Sequence, residues 1–176
     1  MKTEMDFKPT EFEGLFLVKF KRFVDQRGVF IKPWVHNEVL EIFGNNMETY
    51  ISSSDAGTIR GLHYQKGSAA QKKFVICLNG KIEDLAVDMR SKSATYGQSF
   101  NITLKALDGN GIIIPKGFAH GVFAHEDSIY INFCDQIYLP GEERGIIWSS
   151  IPDFKRLQVS IISEKDQNLP PLKEVL

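Results

Sequence analysis

The chain has 176 residues, 43% of them hydrophobic and 24% charged, with a formal net charge of −1. Those proportions belong to an ordinary globular protein, read here as a single domain over residues 1–176. A nucleic-acid binder would show a basic excess or stripe, and a membrane span would need an apolar run of roughly 18 residues. Neither is present, and MKTEMDFKPTEFEG lacks the apolar core of an export signal. The expected protein is cytoplasmic, with no nucleic-acid or membrane partner.

In chain order, short strands dominate. Candidates are 15–21 and 29–34, then 48–53, 73–78, 81–88, 99–104, 111–114, 121–125 and 129–138, each bounded by Gly, Asn, Asp or Pro. The longest helix candidate is Asn37–Phe43, with Asn37 as its cap and Gly44 as its stop. Asn79–Gly80 reads as a hairpin turn. The tail from Ile151 is irregular and is expected to wrap the rest. Strands of this length and spacing favour an all-β barrel or sandwich with a few short helices. Cys77 and Cys134 lie in apolar strands and read as small buried hydrophobes.

Four segments carry candidate chemistry. In Lys81–Asp88, alternation puts Ile82, Asp84, Ala86 and Asp88 on one face. That face is either a polar pocket inside a barrel or a solvent-facing row of charges. Arg60–Gln65 (RGLHYQ) gathers a cation, an imidazole, a phenol and an amide, with His63 and Gln65 on one face. An imidazole titrating near neutrality suits proton transfer, although His63 taken alone reads equally as a structural histidine. Pro115, Gly117 and His120 mark a strand, a tight turn and a second strand, in the manner of a second cupin motif. The first cupin motif's histidine pair is missing, because the residue two beyond His63 is Gln65. A transition metal needs about three protein ligands, so no metal is expected. Finally, Arg27 in DQRGVF and Arg60 could hold one anionic ligand, since guanidinium pairs bidentately with phosphate oxygens.

Together these segments resemble the dTDP-4-dehydrorhamnose 3,5-epimerase family. The matching stretches are DQRGVF, SSS before IRGLHYQ, QKKFV, NGKIEDLAVDMR, TYG, IPKGFAHG, IYLPGEERGIIW and SEKD, in family order. The resemblance implies a cupin-type jelly-roll barrel, a homodimer exchanging strands, and no cofactor. It also implies a substrate, a dTDP-linked 4-keto-6-deoxyhexose used in making surface polysaccharide. The C4 ketone acidifies the hydrogens on C3 and C5, so a base, an enolate stabiliser and a proton donor suffice. By resemblance His63 is the base, Asp166 orients it, Lys73 stabilises the enolate, and Asp84 organises the polar network. Arg27 and Arg60 hold the diphosphate, and Phe23 and Tyr138 pack the nucleoside. Gln65 and His120 lie beside the substrate.

The family's usual acid, a tyrosine six residues before the Tyr138–Leu139–Pro140 motif, is here Asn132. An amide cannot donate a proton as a phenol does. Tyr130, two residues earlier on the same face, Tyr64 or a water are the replacements considered. Loss of general acid catalysis costs about 10²–10⁴-fold in rate, which opens a 3- or 5-epimerase as an alternative to double epimerisation. Tyr50 and Lys32 stand where the family often has asparagine and glutamate near the nucleoside, leaving the nucleotide open. A C4-to-C3 ketoisomerase and a non-catalytic sugar-nucleotide-binding cupin are the other readings.

Overall fold

The computed structural model describes residues 5–176. Its strands in chain order are β1 (Met5–Pro9), β2 (Phe16–Phe20), β3 (Arg22–Asp25), β4 (Gly28–Ile31), β5 (Glu48–Ser54), β6 (Thr58–Gln65) and β7 (Lys73–Asn79). They continue as β8 (Lys81–Asp88), β9 (Ser99–Lys105), β10 (Asn110–Ile114), β11 (Phe118–Ala124), β12 (Ser128–Cys134), β13 (Glu143–Gly145) and β14 (Ile161–Ile162). Two one-turn α-helices, α1 (His36–Val39) and α2 (Glu164–Gln167), are joined by isolated 3₁₀ turns.

One sheet runs β1-β2-β10-β7-β12-β5 and the other β13-β6-β11-β8-β9, with β14 added parallel to β6. Apolar side chains of both sheets meet between them, Val75, Ile112 and Tyr130 from the first against Ile82, Leu104 and Val122 from the second. The outer faces are also covered. Ile151, Phe154 and Leu157 of the tail lie over Leu85, Val87 and Phe123. Val39 and Phe43 lie over Phe74 and Ile113. Because both faces of β8 are covered, its carboxylates cannot point to solvent. Asp84 and Asp88 are fully buried, so the inward reading of that strand holds, though Asp88 serves a separate polar cluster.

Four local expectations need correction. The helix at Asn37–Phe43 is a single turn, and Asn37 does not cap it; Val35 is the cap residue, without a side-chain bond. Gly44 does not end it either: the helix stops at Val39 with Leu40 as its C-cap, and Gly44, at φ +91° with its N–H bonded to the Leu40 carbonyl, closes the turns that follow. The Asn79–Gly80 turn forms, with Gly80 at φ +73°, but it closes no hairpin. β7 pairs with β10 and β12, while β8 pairs with β11 and β9, so the turn carries the chain from one sheet to the other. The paired strands β3 and β4 form a small separate sheet whose Phe23, Val24 and Phe30 stay exposed.

Candidate functional site

β6 is the backbone of the site. β14 pairs in parallel with its first residues, Ile161 beside Thr58 and Ile162 beside Ile59. That register delivers the chain to Ser163, whose side chain caps α2 by accepting the Asp166 N–H. Asp166 is thereby fixed in the first turn, 4% exposed, against the middle of β6. One carboxylate oxygen accepts the Gly61 N–H at 2.8 Å, and the other lies 2.8 Å from Nε2 of His63. Gly61 has φ +96°, and a Cβ there would lie 2.7 Å from the His120 carbonyl, so only glycine lets β6 approach β11 this closely.

Burial opposes ionisation of Asp166, but the His63 bond and the Gly61 N–H outweigh it and hold its pKa below the ordinary value. An ionised Asp166 accepts from Nε2–H, which leaves the lone pair of the neutral His63 ring on Nδ1. Nδ1 is 3.8 Å from Glu143 Oε1. Glu143 also binds Lys165 and accepts from the Tyr138 hydroxyl.

His120 sits opposite His63 on β11 and bonds Asp84 through Nε2 at 2.9 Å. The second oxygen of Asp84 is buried, with no hydrogen-bond partner among the described residues. Lys73 enters from β7 in the facing sheet. Burial lowers its pKa, partly offset by Cys134, Asp84, Glu143 and Glu48. Its ammonium makes no hydrogen bond or ion pair among the described residues.

These side chains line two adjoining depressions of about 460 and 280 Å³. The larger is bounded by Arg60, His63, His120, Tyr130, Asn132 and Asp166, among others, and the smaller by Glu48, Gln65, Tyr138 and Glu143, among others. His63, Lys73 and Tyr50 border both. A volume of this order suits a small polar ligand, and the contents are a base, a desolvated cation and guanidinium at the rim. Arg60 is exposed, donating to Ser54 Oγ and the Ser53 carbonyl.

Comparison with known proteins decides the family. The dTDP-4-dehydrorhamnose 3,5-epimerase family model matches residues 9–174. The dTDP-4-dehydrorhamnose 3,5-epimerase of Methanothermobacter thermautotrophicus is 35% identical over 97% of this chain and 96% of its own. The chain belongs to the dTDP-4-dehydrorhamnose 3,5-epimerase family. The crystal structure of the family's Sulfolobus tokodaii enzyme superposes with a TM-score of 0.90 at 37% identity, over 98% of this chain and 97% of that one. The Legionella pneumophila dTDP-6-deoxy-D-glucose-3,5-epimerase, solved with dTDP-4-keto-L-rhamnose, gives 0.88 at 30% identity, covering 98% and 97%. The protein is thus an isomerase of the epimerase type on a cupin-type β fold, as the resemblance implied.

Within this family member, several residues of the sequence reading do converge: His63, Asp166, Lys73, Arg60, Tyr130, Asn132 and His120 around one depression, with Asp84 behind His120. Tyr138 borders the neighbouring one. Gln65 borders the smaller depression, with its amide engaged by the backbone. Its nitrogen donates to the Ala69 and Ile137 carbonyls and its oxygen accepts the Leu139 N–H, so its polar atoms are spent on tying loops to β6. Phe23 and Arg27 lie apart, on the exposed β3–β4 arm. There Arg27 pairs with Asp25 at 2.6 Å, and Phe23 packs on Phe30 with centroids 6.0 Å apart. Tyr64 packs into the outer cluster with Leu85 and Phe123 and borders the smaller depression but not the larger one.

Sequence reasoning missed Glu143 and Lys165, whose only signal was the ERG and SEKD of the matching stretches. Among the described residues no group of three or more His, Cys, Asp or Glu side chains is placed to hold a metal ion, and no helix is long and apolar enough to cross a membrane. Cys77 and Cys134 are buried free thiols whose pKa burial pushes up to about 11, as their apolar strands foretold.

Proposed function

We propose that this chain epimerises a dTDP-linked 4-keto-6-deoxyhexose at C3, C5 or both, in deoxysugar biosynthesis. The observation that carries the reading is the His63–Asp166 pair and Lys73, whose ammonium has no partner among the described residues, lining one depression from the two sheets. Nδ1 of His63 removes the hydrogen next to the C4 ketone. The electron pair moves onto the carbonyl oxygen, and Lys73 receives that developing charge in a desolvated setting where it is worth more than in water. Arg60 at the rim holds the diphosphate, and Tyr138 packs the nucleoside.

The working unit is a homodimer. An isolated two-stranded sheet is marginal in water, and the β3–β4 arm presents Phe23, Val24 and Phe30 to solvent. A second copy covers them, and Arg27 and Phe23 then serve the partner's depression instead of their own. Asn132 in place of the family's acid tyrosine favours a single-centre epimerase as the second reading.

The test is deuterium uptake in D₂O from dTDP-4-keto-6-deoxyglucose, with UDP-, GDP- and CDP-linked analogues alongside, read by mass and proton spectra. Uptake at both C3 and C5 is the result for a double epimerase, and uptake at one carbon identifies the single-centre enzyme. Folded protein that exchanges no hydrogen from any of them contradicts the reading.

A further inference from the structure

Inversion at a carbon needs a proton removed from one face and another delivered to the opposite face. His63 stands on β6, in one sheet. A donor must therefore come from the facing sheet and border the same space as His63 and Lys73. Two phenols of that sheet line the larger depression, Tyr50 on β5 and Tyr130 on β12.

They differ in surroundings. Tyr130 is 2% exposed and packed with Val75, Cys77 and Val122 in the core between the sheets, with Ser54 and Ser52 beside its hydroxyl. Tyr50 is 36% exposed and borders both depressions, a property it shares, among the described residues, with His63 and Lys73 alone. It also stands directly opposite Asn132 in the antiparallel β5–β12 pair, where facing Cβ atoms lie about 4.5–5.5 Å apart. Asn132 is 1% exposed and its Oδ1 has no hydrogen-bond partner among the described residues. The phenol and the amide thus occupy neighbouring places on one wall, with the phenol on β5.

We propose that Tyr50 is the catalytic acid of this chain, delivering a proton from β5 to the carbon that His63 has deprotonated. This rests on the epimerase reading above. The O–H bond of Tyr50 breaks as the new C–H bond forms from the enolate π pair, and the oxygen's pair restores the C4 carbonyl. The Tyr50 phenolate then takes a proton from solvent, which reaches its exposed side, and His63 releases the proton it took. Burial raises the phenol's pKa, which keeps the proton in place until the enolate forms.

The test is Tyr50→Phe in D₂O with the 4-keto sugar nucleotide that the wild-type protein exchanges. His63 still removes the hydrogen and returns a deuteron to the same face. Deuterium uptake without inversion is therefore expected, the inversion rate falling about 10²–10⁴-fold. Adding Asn132→Tyr to Tyr50→Phe moves the phenol across the strand pair, and at least a tenfold recovery of inversion is expected. Inversion by Tyr50→Phe within threefold of wild type, or its loss in Tyr130→Phe with retention in Tyr50→Phe, overturns the assignment. A wild-type protein that exchanges nothing overturns the epimerase reading itself, and does so before any variant is compared.

Discussion

His63 and His120 stand opposite each other on β6 and β11, and each is bonded to a different buried carboxylate, Asp166 and Asp84. The two pairs are not equivalent. The His63 side chain is 24% exposed and that of His120 only 6%. One imidazole is accessible to a ligand, and the other is built into the floor.

Asp166→Asn separates orientation from folding. The amide oxygen can still accept the Gly61 N–H, but its NH₂ then faces Nε2 and forces the His63 proton onto Nδ1. The base nitrogen is blocked, and kcat is expected to fall about 10²–10⁴-fold with the thermal midpoint nearly unchanged. Steady-state kinetics and a melting curve on the same sample check this.

Asp84→Ala should do the reverse. It strips the sealed His120 of its partner, and an unsatisfied buried group costs about 1–3 kcal/mol. Urea unfolding is expected to show a loss in that range.

Lys73→Met should trade activity for stability. Burial depresses the Lys73 pKa in the folded state below its unfolded value of about 10.5. The unfolded chain therefore binds the proton more tightly, and Lys73 opposes folding at neutral pH. That cost fades as pH rises through the folded pKa toward 10.5. The variant is expected to melt no lower than wild type at pH 7 and to lose turnover at least 10²-fold.

Asp88 gives a pH signature away from the site. It accepts from Arg90, Ser93 and Thr95. Burial opposes ionisation, but these bonds prevail and lower its pKa from 3.8 to about 2. A depressed carboxylate contributes stability that is complete above the unfolded pKa and is lost as pH falls through the folded one. Between pH 4 and pH 2 wild type should lose about 1–2 kcal/mol that Asp88→Asn does not, measured by urea unfolding at each pH.

Local patterns marked most strands and both ends of the Pro115–Gly117 turn, because period-two alternation and turn residues act within a few positions. The one-turn α2, the three-residue β13 and the two-residue β14 escaped, since so short an element is set by its tertiary partner. The same limit hid which sheet each strand joined, as the Asn79–Gly80 turn shows. At the site, His63 stood out by type. Its tie to Asp166, 103 positions later, came from the resemblance rather than from spacing. That Tyr50 and Asn132 face each other is a matter of strand register, which no local signal carries.

The most direct test of proton abstraction by His63 compares His63→Ala with wild type in two readings, dTDP binding by calorimetry and deuterium uptake by the 4-keto sugar. The expected result is binding within a few-fold of wild type and exchange lost by at least 10²-fold. Exchange persisting at the wild-type rate without His63 would contradict it.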